Sequence, residues 1–301
     1  MENGHHILRS VIQQISLYDE LSFEFVQSIS NKISISTELS EDLIDNLIED
    51  KAEVLSSLNS SNNLVYSAAD AILKFSPKNL HLSIKLFKNV PLGAGLGGGS
   101  ANCGKTLMFL NDALKTNIKF SKLIEIGYKL GSDVPAVMAE GPVLIYACGN
   151  KLVNFPIGLY GYKDLIFYII KPRISVSSKN AYESLGIDKT LPNLLLEDDE
   201  LSTNEVNSFQ DMVTSKTLEE TKTKLSLLNN DFTAYALKFP EIHNCWEKLQ
   251  DMKAIKLTIC GSGSSIMAIF DPSNDPSLSG LKSILPKKSF IKLVKPLDTL
   301  N

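Results

Sequence analysis

The stretch Pro91-Leu-Gly-Ala-Gly-Leu-Gly-Gly-Gly-Ser100-Ala101 holds five glycines in eleven residues, and its flanks decide how it is read. Before it, His81 to Leu86 alternates apolar and polar residues in the manner of a strand. After it, Ser100 to Leu114 carries good helix formers. Glycine admits positive φ and lets a ligand approach the backbone, and a helix N-terminus presents unpaired N–H groups at the positive end of its dipole. Strand, glycine loop and helix in that order predict a phosphate cradle.

Working outward, 301 residues of which 44% are hydrophobic suffice for two domains at roughly 100–200 residues each. A boundary is expected near residue 160, giving units 1–160 and 161–301. In the first half, Ile7 to Ile15 and Leu21 to Phe25 read as strands joined by the turn Leu17-Tyr18-Asp19-Glu20, and Lys32 to Thr37 as a third. Glu38 to Asn62 is polar and acidic and reads as an inserted or loosely packed helical segment, an unpromising place for chemistry. Helices are expected at Asn63 to Phe75 and at Ser121 to Leu130 with Ser121 as N-cap, and a strand at Pro142 to Ala147.

In the second half, strands are expected at Asp164 to Ile170, Ile255 to Cys260, Ser265 to Phe270 and Phe290 to Val294. Helices are expected at Lys179 to Leu185, Asp211 to Leu228, Asp231 to Lys238 and Ile242 to Met252, with Asp188 to Asn207 a solvated loop. Mixed elements without strict alternation point to α+β rather than a doubly wound sheet.

A formal charge of −4 with scattered lysines offers no face to nucleic acid. Four separated cysteines without a CxxC pair read as reduced thiols. Apolar runs such as Leu165 to Ile170 are too short to span a bilayer, and the N-terminus has no signal-peptide pattern. A cytoplasmic monomer or homodimer acting on a small molecule is expected, with no membrane and no nucleic-acid partner.

Gly95-Leu-Gly-Gly-Gly-Ser100, Gly131-Ser-Asp-Val-Pro135 and Gly261-Ser-Gly-Ser264, supported by Asn63-Leu-Val-Tyr66 and Asn230-Asp-Phe232, together resemble the GHMP kinase superfamily. Within it they are most similar to the branch that phosphorylates a cytidine diphosphate-linked methylerythritol in non-mevalonate isoprenoid precursor synthesis. The resemblance runs from about Asn3 to the last strand. It implies a two-domain fold, with an N-terminal domain like ribosomal protein S5 domain 2 and a ferredoxin-like C-terminal domain. It also implies ATP and Mg2+ and transfer of phosphate to a tertiary alcohol.

Residue by residue, the resemblance puts Pro91, Leu92, Gly93, Ala94, Gly95, Leu96, Gly97, Gly98, Gly99, Ser100 and Ala101 around the ATP phosphates, with Asn63 also on the nucleotide and Ser100 on magnesium. Asp133 would be the general base. Gly261, Ser262 and Gly263 would form a second glycine turn beside nucleotide and acceptor. Gly4-His5-His6 matches the family's aromatic-histidine pair, so His5 and Tyr182 would sandwich the cytosine while His6 bonds its edge.

The family opens with a strand, proline-alanine-lysine-isoleucine-asparagine, that has no counterpart here. A start downstream of the true one is the expected reason, with a non-catalytic relative the alternative. Two rival readings share the loop. Gly99-Ser-Ala-Asn-Cys-Gly104-Lys105-Thr106 fits a P-loop letter for letter, yet lacks a strand ending at its first glycine. A kinase for homoserine, mevalonate or a sugar would share the loop but should not carry both the Gly-Ser-Asp-Val-Pro stretch and the pair of Gly4-His5-His6 and Tyr182.

Overall fold

The computed structural model describes residues 8–139, 141–147, 151–154, 159–185 and 203–297. The first half runs β1 (Leu8–Ile12), β2 (Glu20–Gln27), β3 (Lys32–Leu39), α1 (Glu41–Asn46), α2 (Lys51–Leu58), α3 (Leu64–Leu73) and β4 (Leu80–Lys88). It continues with α4 (Gly98–Ala113), α5 (Phe120–Leu130), α6 (Val134–Met138), β5 (Val143–Ala147) and β6 (Lys151–Asn154).

Strand β4 sits between β2, antiparallel, and β3, parallel. Its alternation buries Leu80, Leu82, Ile84, Leu86 and Lys88 on one face and leaves His81, Lys85 and Phe87 on the other. Helix α3 covers the buried face because Val65, Ala68, Ala69 and Ile72 recur at helical spacing. Burying Ile72 alone contributes about 1.5–3 kcal/mol. Asn63 caps this helix by accepting the Val65 N–H at 2.9 Å.

The expected turn between β1 and β2 is a crossing instead: β1 pairs with β5, whose other neighbour is β6, in a separate antiparallel sheet. The intervening chain is drawn away by an Ile15–Pro296 bridge and by Ser16 N–H donating to Lys295 O at 2.9 Å. Helix α5 begins at Phe120 with Lys119 at its N-cap, so Ser121 lies inside the first turn and caps nothing.

The second half runs β7 (Ile166–Lys171), α7 (Ser178–Ser184), α8 (Thr203–Met212), α9 (Leu218–Leu227), α10 (Thr233–Ala236), α11 (Pro240–Asp251), β8 (Lys256–Ile259), β9 (Ile266–Phe270), α12 (Leu278–Ile284) and β10 (Phe290–Val294). The sheet order β10-β7-β9-β8, all antiparallel, is the ferredoxin-like arrangement. Helices α11 and α12 pack on one face through Ile242, Cys245, Leu249 and Leu281. The single helix expected over Asp211 to Leu228 is two. Thr217 opens the second by accepting the Glu220 N–H, while Glu220 accepts the Lys216 N–H, close to a capping box. Of the expected loop Asp188 to Asn207, the last five residues belong to α8 and residues 186–202 lie outside the described residues.

The Glu38 to Asn62 segment is not loosely packed. Leu43 of α1 and Val54 of α2 are buried against the other face of this sheet, with Phe167, Ile169, Phe290 and Val294. Asn46 closes the seam: its Nδ2 donates to Lys288 O at 2.8 Å, and its Oδ1 accepts from Lys171 Nζ at 3.1 Å. Lys171 is 2% exposed and also donates to Ile174 O at 3.1 Å.

Burial pushes the Lys171 ammonium down to about 8 from 10.5, against the opposing charge of Glu49. Between those values the unfolded chain keeps a proton that the folded chain has released, so this residue's contribution to stability rises with pH from 8 to 10.5. Unfolding midpoints of the wild type measured against Lys171→Met should show the wild type gaining up to about 3 kcal/mol across that window. A gap that does not change with pH would refute the burial of a charged amine here.

Candidate active site

Strand β4 delivers the chain into the glycine loop, and three glycines there hold left-handed backbone: Gly93 at φ 58°, Gly95 at 72° and Gly97 at 66°. Gly97 is the N-cap of α4, and the first intrahelical bond runs from Ala101 N–H to Gly97 O at 2.8 Å. The N–H groups of Gly98, Gly99 and Ser100 therefore project from the helix end, where the dipole favours an anion. Residues 91 to 100 form one wall of a cleft of about 320 Å³ whose other side includes Leu58, Asn63, Leu86, Lys88 and Asn102. Ala101 is not among the lining residues. Asn63 faces the cleft with its amide engaged locally, since its Nδ2 donates to Leu58 O at 2.6 Å.

The second glycine turn is stacked on the first. Ser265 N–H donates to Ala94 O at 3.1 Å, and a Cβ on Gly261 would meet Gly95 O at 2.8 Å. Asn230 fixes the turn by donating to Ile259 O at 2.8 Å and Gly261 O at 2.9 Å, while the Ser262 and Ser178 hydroxyls share a 2.7 Å hydrogen bond. Beside it Tyr182 of α7 packs edge-on to Phe232, with ring centroids 4.9 Å apart.

Asp133 stands just before α6. That helix packs on α4 at Gly104, where a Cβ would lie 2.8 Å from Met138 Cγ and 3.5 Å from Val134 O. Gly98 and Gly104 are six residues apart on α4, roughly 9 Å at 1.5 Å per residue. The Asp133 carboxylate makes no side-chain cap bond to α6, and among the described residues its hydrogen-bond partner is Ser132 Oγ, at a weak 3.4 Å. Its side chain is exposed to solvent. Desolvation by the protein around it raises its pKa above the ordinary aspartate value, against the lowering effect of the Ser132 hydroxyl. Burial raises the pKa of the Tyr182 hydroxyl first, and the charge of Asp133 adds to it. The cradle can hold a polyphosphate, and Asp133 can present a carboxylate to a hydroxyl.

Residues 63–141 match the family described as GHMP kinases N terminal domain. Over 98% of the chain the fold matches a crystal structure of 4-(cytidine 5'-diphospho)-2C-methyl-D-erythritol kinase, covering 92% of it with a TM-score of 0.65 at 18% identity. The chain is thus similar to GHMP kinases in sequence over residues 63–141 and in fold over nearly its whole length. A mevalonate kinase crystal structure matches as well, at TM-score 0.66 and 11% identity over 98% of the chain and 93% of that structure, so the fold is common to kinases with different acceptors. Two relatives named 4-diphosphocytidyl-2-C-methyl-D-erythritol kinase are similar in sequence. That of Syntrophus aciditrophicus is 29% identical over 95% of this chain and 88% of its own length; that of Citrifermentans bemidjiense is 28% identical over 89% and 82%.

In this chain the P-loop reading fails, because Gly99 to Thr106 lies wholly inside α4, where backbone N–H groups from Ala101 onward bond within the helix. Lys105→Ala should therefore change the KM for ATP by less than about threefold. A loss of ATP affinity beyond a hundredfold would restore the P-loop register.

His5 and His6 lie outside the described residues. Sequence reasoning missed two cleft residues, Lys88 and Asn102, and Asp19, which bonds to both. A signal for Lys88 existed, since it shares strand parity with Leu82, Ile84 and Leu86 and so had to point inward.

Proposed function

We propose that this chain transfers the γ-phosphate of ATP to the 2-hydroxyl of 4-diphosphocytidyl-2-C-methyl-D-erythritol, with residues 1–160 as the ATP-binding domain and 161–301 as the C-terminal domain. The observation that carries the reading is the Asp133 carboxylate, which caps no backbone N–H at the start of α6, the helix packed on α4 behind the glycine cradle, in a chain whose relatives of similar length bear that kinase's name.

The cradle from Pro91 to Ser100 orients the triphosphate through backbone N–H groups, and Gly261, Ser262 and Gly263 border the acceptor. A tertiary hydroxyl is a poor nucleophile at neutral pH. Asp133 in its ionised form accepts its proton as the phosphoryl group moves, a contribution of about 10²–10⁴-fold. Tyr182 offers a flat ring to the cytosine, where stacking contributes roughly 1–3 kcal/mol.

Mg2+ suits the donor set. Among the described residues no three His, Cys, Asp or Glu side chains cluster, which fits an ion held mainly by substrate phosphates and water, with Ser100 in the first turn of α4 as the protein ligand. Bound there, it would neutralise charge on the phosphates. Among the described residues no helix is long and apolar enough to cross a membrane.

ADP release measured with a panel of acceptors tests the reading. The cytidine diphosphate-linked methylerythritol should exceed mevalonate and homoserine in kcat/KM by several orders of magnitude. Preference for either of the others would overturn it.

A further inference from the structure

Asp19 lies in the chain entering β2, far in sequence from the glycine loop, yet its side chain is 0% exposed and fully engaged with it. Oδ1 accepts the backbone N–H groups of Asn89 and Val90, both at 2.8 Å; Oδ2 accepts Asn102 Nδ2 at 2.8 Å and the Lys88 ammonium. Four donors fill the acceptor capacity of a carboxylate. They come from the two ends of the cradle: the turn from β4 into Pro91, and α4.

Lys88 and Asn102 both line the nucleotide cleft. The Lys88 side chain is 4% exposed, and a Cβ on Gly98 would lie 3.6 Å from its Nζ and 2.8 Å from Val90 Cγ1. An ammonium is thus held against the first turn of α4, at the positive end of the helix dipole, where it would be disfavoured without an adjacent anion. We infer that Asp19 is a positioning residue for ATP binding, acting through Lys88: it fixes the ammonium on the cleft wall and ties the entry turn of the glycine loop to α4.

The inference rests on the proposed use of this cleft for ATP, and binding measurements separate the two. Asp19→Asn keeps an oxygen for the Asn89 and Val90 N–H groups but turns an amide donor toward two other donors, Lys88 and Asn102. Titration calorimetry should show the Kd for ATP raised roughly ten- to hundredfold, with the Kd for the cytidine-bearing acceptor unchanged. In a Lys88→Gln background the same substitution should add less than about twofold, because the group through which Asp19 acts has gone.

The double variant Asp19→Asn with Lys88→Gln replaces the ion pair by a neutral amide pair. It provides the test if the single variant does not fold, and it should fold while binding ATP as weakly as Lys88→Gln alone. Equal weakening of ATP and acceptor, additive effects, or wild-type ATP affinity in either Asp19 variant would overturn the inference. A wild-type chain that binds no ATP would instead overturn the proposed function.

Discussion

Asp133→Asn is expected to lower kcat by about 10²–10⁴-fold while the Kd for ATP stays near the wild-type value. The exchange preserves shape and removes only the capacity to take a proton, and the carboxylate supports no helix cap whose loss could disturb the fold. The pH profile carries a second signature. The base must be ionised to act, so kcat/KM falls as pH drops through its pKa. Burial raises that pKa, which moves the acid limb to higher pH than a free aspartate would give. The residual activity of Asp133→Asn should lack this limb. A variant that keeps both its rate and its acid limb would show that another group accepts the proton.

The largest structural effect is expected at Gly95. Its φ is 72°, and a Cβ there would lie 2.0 Å from Cys260 O and 2.7 Å from Gly263 O, both backbone atoms that cannot turn aside. Alanine therefore meets the left-handed strain of about 1–2 kcal/mol and a wedge between the two glycine turns. Gly95→Ala should lose about 3–5 kcal/mol of stability in urea unfolding and abolish ATP binding. Gly97→Ala is the control. Its φ is 66° but nothing lies within 4 Å of the added Cβ, so only the strain remains, about 1 kcal/mol. Equal losses at both positions would mean that the stacking of the two turns does not hold the site together.

What could be read from sequence divides along physical lines. The phosphate loop was legible because its chemistry is local: strand, glycines and helix are contiguous, and each signals itself within ten residues. Strand β4 was legible from parity, and α3 from helical spacing. Asp19 was not legible, because its meaning lies in partners 69 and 83 residues away, Lys88 and Asn102, and in one sequence it looks like any turn aspartate. The pairing of β1 with β5 was hidden for the same reason, since the turn-like run Leu17 to Glu20 suggested a local partner. Helices α1 and α2 looked loose because they are acidic and short, and only a few positions such as Leu43 and Val54 anchor them. The place of Asp133 and Tyr182 relative to the cradle depends on how the two halves of the chain come together, for which the sequence offered only a resemblance.

The most direct measurement is transfer of an isotopically labelled γ-phosphate from ATP to 4-diphosphocytidyl-2-C-methyl-D-erythritol by the purified 301-residue chain, run beside Asp133→Asn. Label on the acceptor's 2-oxygen that falls by two orders of magnitude or more in the variant is the expected result. ATP hydrolysis that leaves the acceptor unlabelled, or labelling undiminished in the variant, would contradict it.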